Sequence, residues 1–434
     1  MLPHKLVVIG GGAAGFFCAV NAARLNPQLQ VVLVEKTSKL LSKVKVSGGG
    51  RCNVTHSCFS IAEMIKKYPR GNSFLKKAFH HFFTTHTISW FQERGIPLKT
   101  EADGRMFPES NTSQTIIDCL ILEAEKYSVE ILMNTEVKAM SIVNPIAAER
   151  QSLSGEKITG EEGNFKINLG NNRTVYAAYV CIACGGYPKT LQYEWLTKIG
   201  HTIQKPVPSL FTFNIPKNII TALMGISVEN VTIKIAGTKL MQTGPVLITH
   251  WGLSGPAVLK LSAWAATELA EKNYDFIITV NWVPAYNEYS LKQKMQDVRF
   301  EVGAQKIFNR NPFGLPARLW EYLLQQCGIH EEIRWADLPA KEQNKLIKIL
   351  CSQEFEVHGK TTFKEEFVTA GGINLNEVEA HTMQSKLIPG LFFAGEILNI
   401  DGITGGFNFQ NAWTTGWIAA NTLREISADN IFNS

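Results

Sequence analysis

Three glycines and one acid near the start of the chain have the spacing of a nucleotide-phosphate site. Gly10, Gly12 and Gly15 form the pattern G-x-G-x-x-G, and Glu35 follows 20 residues after the last of them. Such glycines permit a tight turn, let a pyrophosphate approach a helix N-terminus and let that helix pack closely on a strand. A carboxylate at this distance accepts hydrogen bonds from an adenosine ribose and repels a 2′-phosphate. These residues predict that the chain binds a dinucleotide.

Two further glycine-rich segments can contribute to the same site. In KVKVSGGGRCNVTH (residues 43–56), three consecutive glycines suit a loop that crosses a flat or anionic ligand with its amides turned inward. The alternative is a flexible surface loop. In PGLFFAGEILNIDGITGGFNFQNAW (residues 389–413), Glu396 ends an apolar run and can accept a hydrogen bond from a ribityl hydroxyl, while Gly405 and Gly406 open a helix whose N-terminus favours negative charge. The alternative here is an ordinary strand, turn and helix.

The elements that must position these residues can be read from short β-branched runs and one stretch of small residues. The predicted strands are 5–9, 31–34, 179–183 and 391–395, and the predicted helices are 13–25 and 407–420. The strand at 179–183 ends at Gly185 and Gly186, which would bring the chain back to the nucleotide. Between residues 191 and 344, strand-like runs precede charged helical segments and no nucleotide motif occurs. We therefore predict a dinucleotide-binding domain in two parts, 1–190 and 345–434, split by an inserted domain at 191–344.

Composition limits the possible partners. The 434 residues are 45% hydrophobic and 19% charged, with a net charge of +5 that gives no strong reason to invoke nucleic acid or an anionic membrane. The longest apolar runs are strand-sized, so a transmembrane span is not expected. We therefore expect a cytoplasmic protein that acts on a small molecule, with no nucleic acid or membrane partner. The oligomeric state stays open.

The 8 cysteines are scattered and predict neither a disulfide framework nor a metal site. Cys181 and Cys184 spell C-x-x-C but lie on a predicted strand, where positions three apart are ~10 Å apart and face opposite sides. Cys52 and Cys58 have the spacing C-x5-C, whereas the redox disulfide of glutathione-reductase-like flavoenzymes has C-x4-C. We therefore expect no obligatory catalytic disulfide.

The motifs together resemble the BaiN-like (YhiN) flavoprotein family, which includes aminoacetone-oxidase-like enzymes. The residues that carry the resemblance are GGGAAG, SGGGRCNVTH, ACGGYPKT, THWGLSGPAVL, TAGGI and AGEILNIDGITGGFNFQNAW, spread over nearly the whole chain. It implies an α/β fold in which a glutathione-reductase-like Rossmann domain, binding FAD noncovalently, is split by an inserted β-barrel plus helical domain. With the residues above, it implies these FAD contacts: Gly10, Gly12, Ala13, Ala14, Gly15, Glu35, Lys36, Ser47, Gly48, Gly49, Gly50, Arg51, Cys52, Asn53, Val137, Gly185, Gly395, Glu396, Gly406, Phe407, Asn408, Gln410 and Asn411.

The chemistry beyond the flavin is less defined by the sequence. His250, in THWGLSGP, is a candidate for a protein group facing the flavin, and Cys52 is a second candidate; for each, a purely structural role is the alternative. The predicted function is that of an FAD-dependent oxidoreductase on a small organic substrate, by amine oxidation or enone reduction, with NAD(P)H as a possible transient donor. The alternatives are a flavin-dependent RNA-modifying enzyme and a flavin-binding sensor without turnover. The mild charge and the absence of a basic stripe count against RNA.

Overall fold

The chain folds into two compact units. The computed structural model describes residues 4–143, 164–170, 172–362 and 368–432. One unit comprises residues 1–208 and 364–434, and the other comprises residues 209–363. The first unit is thus interrupted by the second, as the sequence predicts. Within the described ranges, no helix combines the length and the apolar content needed to cross a membrane.

A five-stranded parallel sheet forms the centre of the first unit. Its strands in spatial order are β20 (Leu391–Phe393), β10 (Tyr179–Ile182), β1 (Lys5–Ile9), β2 (Gln30–Val34) and β6 (Glu130–Leu132). The central strands are short aliphatic runs that are almost entirely buried, which is typical of parallel sheets covered by helices. This order, with the glycine motif directly after β1, confirms the predicted Rossmann-like fold class.

Helices of very unequal length accompany this sheet. They are α1 (Ala13–Leu25), α2 (Ser42–Gly50), α3 (Ile61–Ile65), α4 (Asn72–Ala78), α5 (Thr84–Gln92), α6 (Ser113–Lys126), α7 (Glu194–Thr197) and α13 (Phe407–Phe432). Helices α1 and α13 pack against each other. Their backbones approach closely because both are rich in small residues: a Cβ at Gly416 would lie 2.7 Å from the Ala14 carbonyl oxygen. The two ends of the chain are thereby joined.

Three small sheets complete the first unit. The antiparallel sheet next to the second glycine loop has β3 (Thr55–His56), β5 (Arg105–Pro108) and β4 (Leu98–Thr100). The other two contain β7 (Val137–Ile142), β8 (Phe165–Leu169) and β9 (Thr174–Ala177), and the pair β11 (Ile203–Ser209) and β19 (Val368–Ile373). The first of these sheets fixes the position of the segment that follows the glycine loop.

The second unit has an antiparallel sheet and its own helices. The seven strands in order are β17 (Gln353–His358), β16 (Asp275–Asn281), β13 (Ser227–Ile235), β14 (Met241–Thr249), β15 (Gly252–Ser254), β12 (Thr212–Asn214) and β18 (Lys360–Thr361). The sheet curls so that β12 also contacts β17, in keeping with the predicted barrel-like insert. The helices are α8 (Pro256–Trp264), α9 (Ala266–Glu271), α10 (Glu288–Val302), α11 (Ala317–Cys327) and α12 (Ala340–Ser352), and the core they share with the sheet includes Trp282, Trp320 and Trp335.

The limits of the second unit differ from the 191–344 predicted for the insert. Residues 191–208 belong to the first unit, since β11 pairs with β19. Residues 345–362 belong to the second unit, because β17 and β18 are strands of its sheet. A change in sequence character therefore locates the insert only approximately, since strand partners are chosen over long distances.

Candidate cofactor site

The first glycine motif forms a tight turn that leaves open space at the N-terminus of α1. A Cβ at Gly15 would lie 1.9 Å from the Gly10 carbonyl oxygen, so only glycine allows α1 to approach β1 this closely. Gly12 precedes the first helical residue, Ala13, and a Cβ there would meet no described atom within 4 Å. An N-terminus with free amides and space in front of it is an anion site. The motif fits the pyrophosphate of a dinucleotide.

Glu35 is held in place by the turn that follows β2. One carboxylate oxygen accepts the Gly11 N–H at 2.8 Å, and the other accepts the N–H and the hydroxyl of Thr37, both at 2.8 Å. A carboxylate can accept about four hydrogen bonds, so roughly one position remains for a ribose hydroxyl. The neighbouring Lys36 is exposed, with its ammonium 5.5 Å from the centre of the Tyr187 ring. Val137 begins β7 two residues after Thr135, whose N–H donates to the Glu35 carbonyl.

The second glycine loop is shorter than the sequence predicts. Residues 43–46 lie within α2, and the helical conformation breaks at Ser47. Gly48, Gly49 and Gly50 are all left-handed, with φ of 59°, 68° and 84°. A Cβ at Gly49 or Gly50 would meet no described atom within 4 Å, so their amides border open space. Consecutive left-handed residues form an anion-binding concavity that only glycine adopts at low cost.

The residues after these glycines contact the protein itself. The Arg51 guanidinium stacks 4.0 Å from the centre of the Phe107 ring and donates to Glu101 at 2.5 Å. Cys52 is fully buried with φ of 60°, and burial raises the pKa of its thiol to about 12, although a hydrogen bond with Ser47 opposes this shift. A thiol with this pKa is protonated at neutral pH, which disfavours a nucleophilic role.

Residues 53–56 (Asn-Val-Thr-His), here named the clasp, bind the start of α13. The Thr55 hydroxyl donates to the Gln410 side-chain oxygen at 2.6 Å, and the Trp413 indole N–H donates to the Val54 carbonyl at 2.9 Å. Gln410 is fully buried and also accepts from Thr87 at 3.0 Å. The predicted FAD contact Gln410 thus has its carbonyl oxygen occupied by the protein.

The clasp also fixes the glycine pair that precedes α13. With its amide oriented to satisfy both groups, the Asn53 side chain accepts the Gly406 N–H at 2.9 Å and donates to the Thr55 carbonyl at 2.9 Å. His56 Nδ1 donates to the Gly405 carbonyl at 3.0 Å. A Cβ at Gly406, where φ is 92°, would lie 2.6 Å from the Thr55 backbone, so glycine is required there. Sequence reasoning missed the role of His56 and Thr55, although both belong to the motif SGGGRCNVTH.

Several other predicted contacts near α13 have partners within the protein. Glu396 forms an ion pair with Lys43 at 2.7 Å and accepts the Thr369 N–H at 2.8 Å. The Asn408 side chain bonds both the N–H and the carbonyl of Gly402, at 2.8 and 2.9 Å. Gly395 donates its N–H to the Thr415 hydroxyl at 2.8 Å. Glu396 can still accept from a ribityl hydroxyl, but Asn408 is committed to the loop that precedes α13.

Two of the buried side-chain polar atoms that lack a partner among the described residues belong to segments of the candidate site. They are the side-chain oxygen of Asn411, in the first turns of α13, and the hydroxyl of Thr369 in β19. A Cβ at Gly186 would lie 2.4 Å from that hydroxyl, whereas a Cβ at Gly185 would meet no described atom within 4 Å. Buried polar atoms normally have a partner, so a bound ligand would supply what the protein does not. Phe407 is buried at the helix start.

The remaining cysteine and histidine predictions divide between the two units. Cys181 lies in β10 and forms a side-chain hydrogen bond with Cys18 of α1, while the packing role of the C-x-x-C pair stays a prediction. Among the described residues, no set of three His, Cys, Asp or Glu side chains could hold a metal ion. His250 is an exposed residue at the turn between β14 and β15 of the second unit, with its ring 3.5 Å from that of Trp251. Its catalytic role stays a prediction.

The fold and this site define the class: an FAD-dependent oxidoreductase built on a split Rossmann-type domain. Residues 4–422 match the HI0933-like protein Rossmann domain, so the chain belongs to the HI0933-like family. It is 29% identical to the ribosomal RNA dihydrouridine synthase of Escherichia coli (strain K12), over 96% of this chain and 97% of that protein. It is 26% identical to the 3-dehydro-bile acid delta(4,6)-reductase of Clostridium scindens, over 97% and 99%. A quinol-fumarate reductase structure with menaquinol shares the fold, at a TM-score of 0.50 and 14% identity over 98% of this chain and 72% of that one.

Proposed function

We propose that the protein reduces a carbon–carbon double bond that is conjugated to a ring carbonyl. The observation that carries the proposal is the bond chemistry implied by the names of two full-length relatives. Making dihydrouridine and reducing the 4,6 double bonds of a 3-dehydro-bile acid both add two hydrogens to a C=C bond conjugated with a ring carbonyl. The substrates differ widely, so the shared element is the reaction type.

Bound FAD would supply a hydride to the carbon β to the carbonyl, and a proton would complete the addition at the α carbon. The residues described above suit the binding of such a cofactor. The N-terminus of α1 and the left-handed glycines 48–50 offer amides to phosphate, while the N-terminus of α13 favours negative charge on a reduced ring. This reaction needs no protein nucleophile, in keeping with the protonated Cys52 thiol. We assign the proton donor to His250 as a prediction and the electron donor to a nicotinamide.

Anaerobic reoxidation of the photoreduced protein tests the reaction type. Cyclic enones should restore the absorbance of oxidised flavin, while their saturated ketone analogues should not. His250→Gln should slow this reoxidation and leave flavin content unchanged. Reduction of the oxidised flavin by primary amines, without reoxidation by any enone, would instead establish amine oxidation. Failure of all these substrates would favour a binding protein without turnover.

A second substrate class, uracil in RNA, is favoured by a specific observation. The dihydrouridine synthase of E. coli is 29% identical to this chain and aligns over nearly the full length of both proteins. The C5–C6 bond of uracil is conjugated to a ring carbonyl, so it fits the proposed reaction. Incubating the reduced protein with RNA, followed by mass spectrometry of nucleosides, would show a gain of two hydrogens on uridine. Unchanged uridine together with rapid enone turnover would restrict the function to small molecules.

A further inference from the structure

The surface around α3 and α4 of the first unit concentrates positive charge. Residues 61–82 contain five Lys or Arg and a single acid, Glu63. Lys66 pairs with Glu63, and Arg70 pairs with Asp401. Lys76 and Lys77 are exposed and form no ion pair with any residue in the described ranges. The mild net charge of the whole chain therefore conceals a local excess of cations.

Two of these cations, Lys76 and Lys77, line an open concave pocket of about 550 Å³, here named the basic patch. Its residues are Ile65, Asn72, Ser73, Lys76, Lys77 and His80. Ammonium groups flanked by amide and hydroxyl donors are the set that contacts phosphate and sugar in nucleic-acid complexes. Exposed cations gathered on one face are the electrostatic footprint of such a partner.

The segment after α3 joins the basic patch to the candidate cofactor site. The Tyr68 hydroxyl donates to the Phe407 carbonyl at 2.7 Å, and Arg70 pairs with the fully buried Asp401. A Cβ at Gly71 would lie 2.5 Å from the Ile400 side chain. The patch and the start of α13 therefore belong to one packed structure rather than to separate surfaces.

An exposed aromatic residue precedes the basic patch in the sequence. Phe59 is 61% exposed, directly before α3 and shortly after His56, which bonds Gly405. Exposed aromatic rings and cationic grooves together bind single-stranded nucleic acids, because bases stack on the rings while cations contact the backbone.

We propose that the basic patch binds the phosphodiester backbone of a single-stranded or looped RNA and that Phe59 stacks on one of its bases. The inference rests on the RNA substrate class of the proposed function and adds the surface that holds the polymer. An acidic polypeptide is the competing occupant, and the test separates the two.

The test measures binding of a fluorescently labelled single-stranded RNA to the FAD-loaded protein over a series of potassium chloride concentrations. In the double variant Lys76→Gln/Lys77→Gln, the slope of log K against log salt should become shallower by about 1.4, or ~0.7 for each lost phosphate contact. The matched control Lys345→Gln/Lys348→Gln removes two exposed lysines of α12 and should leave the slope unchanged. Phe59→Ala should weaken binding at least about fivefold without changing the slope.

Equal loss of RNA affinity in the two double variants would overturn the proposal, because the loss would then come from the lower net charge of the protein and not from the basic patch. Binding of poly-glutamate as tight as that of RNA, with the same dependence on Lys76 and Lys77, would assign the patch to an acidic polypeptide. The binding assay involves no turnover, so its result does not depend on whether the protein reduces uridine. If RNA bound through the basic patch but uridine was not reduced, the RNA-modifying function would be refuted and the binding proposal would stand. Reduction of uridine in RNA at an unchanged rate in the Lys76→Gln/Lys77→Gln variant would refute the assignment of RNA binding to the basic patch.

Discussion

Glu35 has about one hydrogen-bonding position left after it accepts two bonds from Thr37 in its own turn and one from Gly11 of the first glycine motif. We therefore propose two separable roles for Glu35, to hold the glycine motif and the Thr37 turn together and to bind a ribose. Asn408 and Gln410 differ from it, because the protein already occupies their hydrogen-bonding groups. Residues that look alike in a motif thus divide into those that can contact the cofactor and those that shape its site.

Glu35→Ala should raise the dissociation constant of FAD about ten- to hundredfold, the effect of losing a charge-assisted hydrogen bond of ~1.5–3 kcal/mol. Reconstitution of the apoprotein with FAD measures this constant. Thr37→Val removes one local bond to Glu35 and leaves the ribose acceptor, so its effect should be small. Cys184→Ser should have no effect. Equal flavin affinity in Glu35→Ala and Cys184→Ser would contradict the site assignment.

The buried Cys52 thiol should make stability sensitive to alkaline pH. Its pKa is raised to about 12, against 9.0 for the unperturbed thiol, so the folded protein keeps a proton that the unfolded chain releases. The stabilising effect is complete below pH 9.0 and is lost as the pH rises toward 12. Urea titrations should show a steeper alkaline loss for the wild type than for Cys52→Ser. Identical profiles, or rapid alkylation of Cys52 in the native protein at neutral pH, would contradict this burial.

At the scale of elements, substitutions of two glycines in the first motif should change different properties, one the FAD affinity and the other the stability of the apoprotein. Gly12→Ala places a methyl group where no described atom lies within 4 Å, so the fold should survive while FAD affinity falls because the methyl group occupies the pyrophosphate position. Gly15→Ala forces a Cβ to 1.9 Å from a backbone oxygen and should lower the melting temperature of the apoprotein itself. Apoprotein melting and FAD titration on both variants separate the effects. A Gly12→Ala protein that binds FAD normally would place the pyrophosphate elsewhere.

The clasp predicts a stability effect that does not depend on the cofactor. Gln410→Leu leaves the buried Thr55 hydroxyl without its acceptor and leaves Thr87 only the longer bond to the Phe83 carbonyl, which should destabilise the apoprotein by about 1–3 kcal/mol. Urea unfolding of the apoprotein measures this loss. Gln114→Leu, at an exposed position of α6, is the control and should change little. If Gln410→Leu weakened FAD binding without destabilising the apoprotein, Gln410 would be a direct FAD contact.

Local sequence predicted four strands of the parallel sheet and the helix α1, because their signals are local, whereas α13 extends to Phe432 and not only to residue 420. The helix at 13–25 has the predicted bounds, and β1 does too, because β-branched runs and a glycine turn leave few alternatives. The clasp and the pair Lys43–Glu396 were not predictable, since the partners are separated by more than three hundred residues. The basic patch was missed because net charge averages over the chain. No single sequence shows which side chains a fold brings together.

At the scale of the whole molecule, the only complete strand–glycine–helix–strand–acid unit among the described residues is at the start of the chain. The second unit is an antiparallel sheet with helices and lacks such a turn in its described part. A nicotinamide should therefore bind weakly and with little preference between NADH and NADPH. Rapid mixing of the oxidised protein with each nucleotide tests this. Tight saturation by one of them, with strong rejection of the other, would contradict it.

The clasp also sets when this protein can acquire its cofactor during synthesis. Thr55 and Gln410 are 355 residues apart, so at about 5–20 residues per second the first partner waits on the order of 20–70 s for the second. Throughout that interval the nascent chain has its first glycine motif but lacks the helix to which we assign the ring end of the site. We therefore expect flavin capture to follow the synthesis of α13. A chain released before α13 is made would keep every glycine of the first motif and still be colourless.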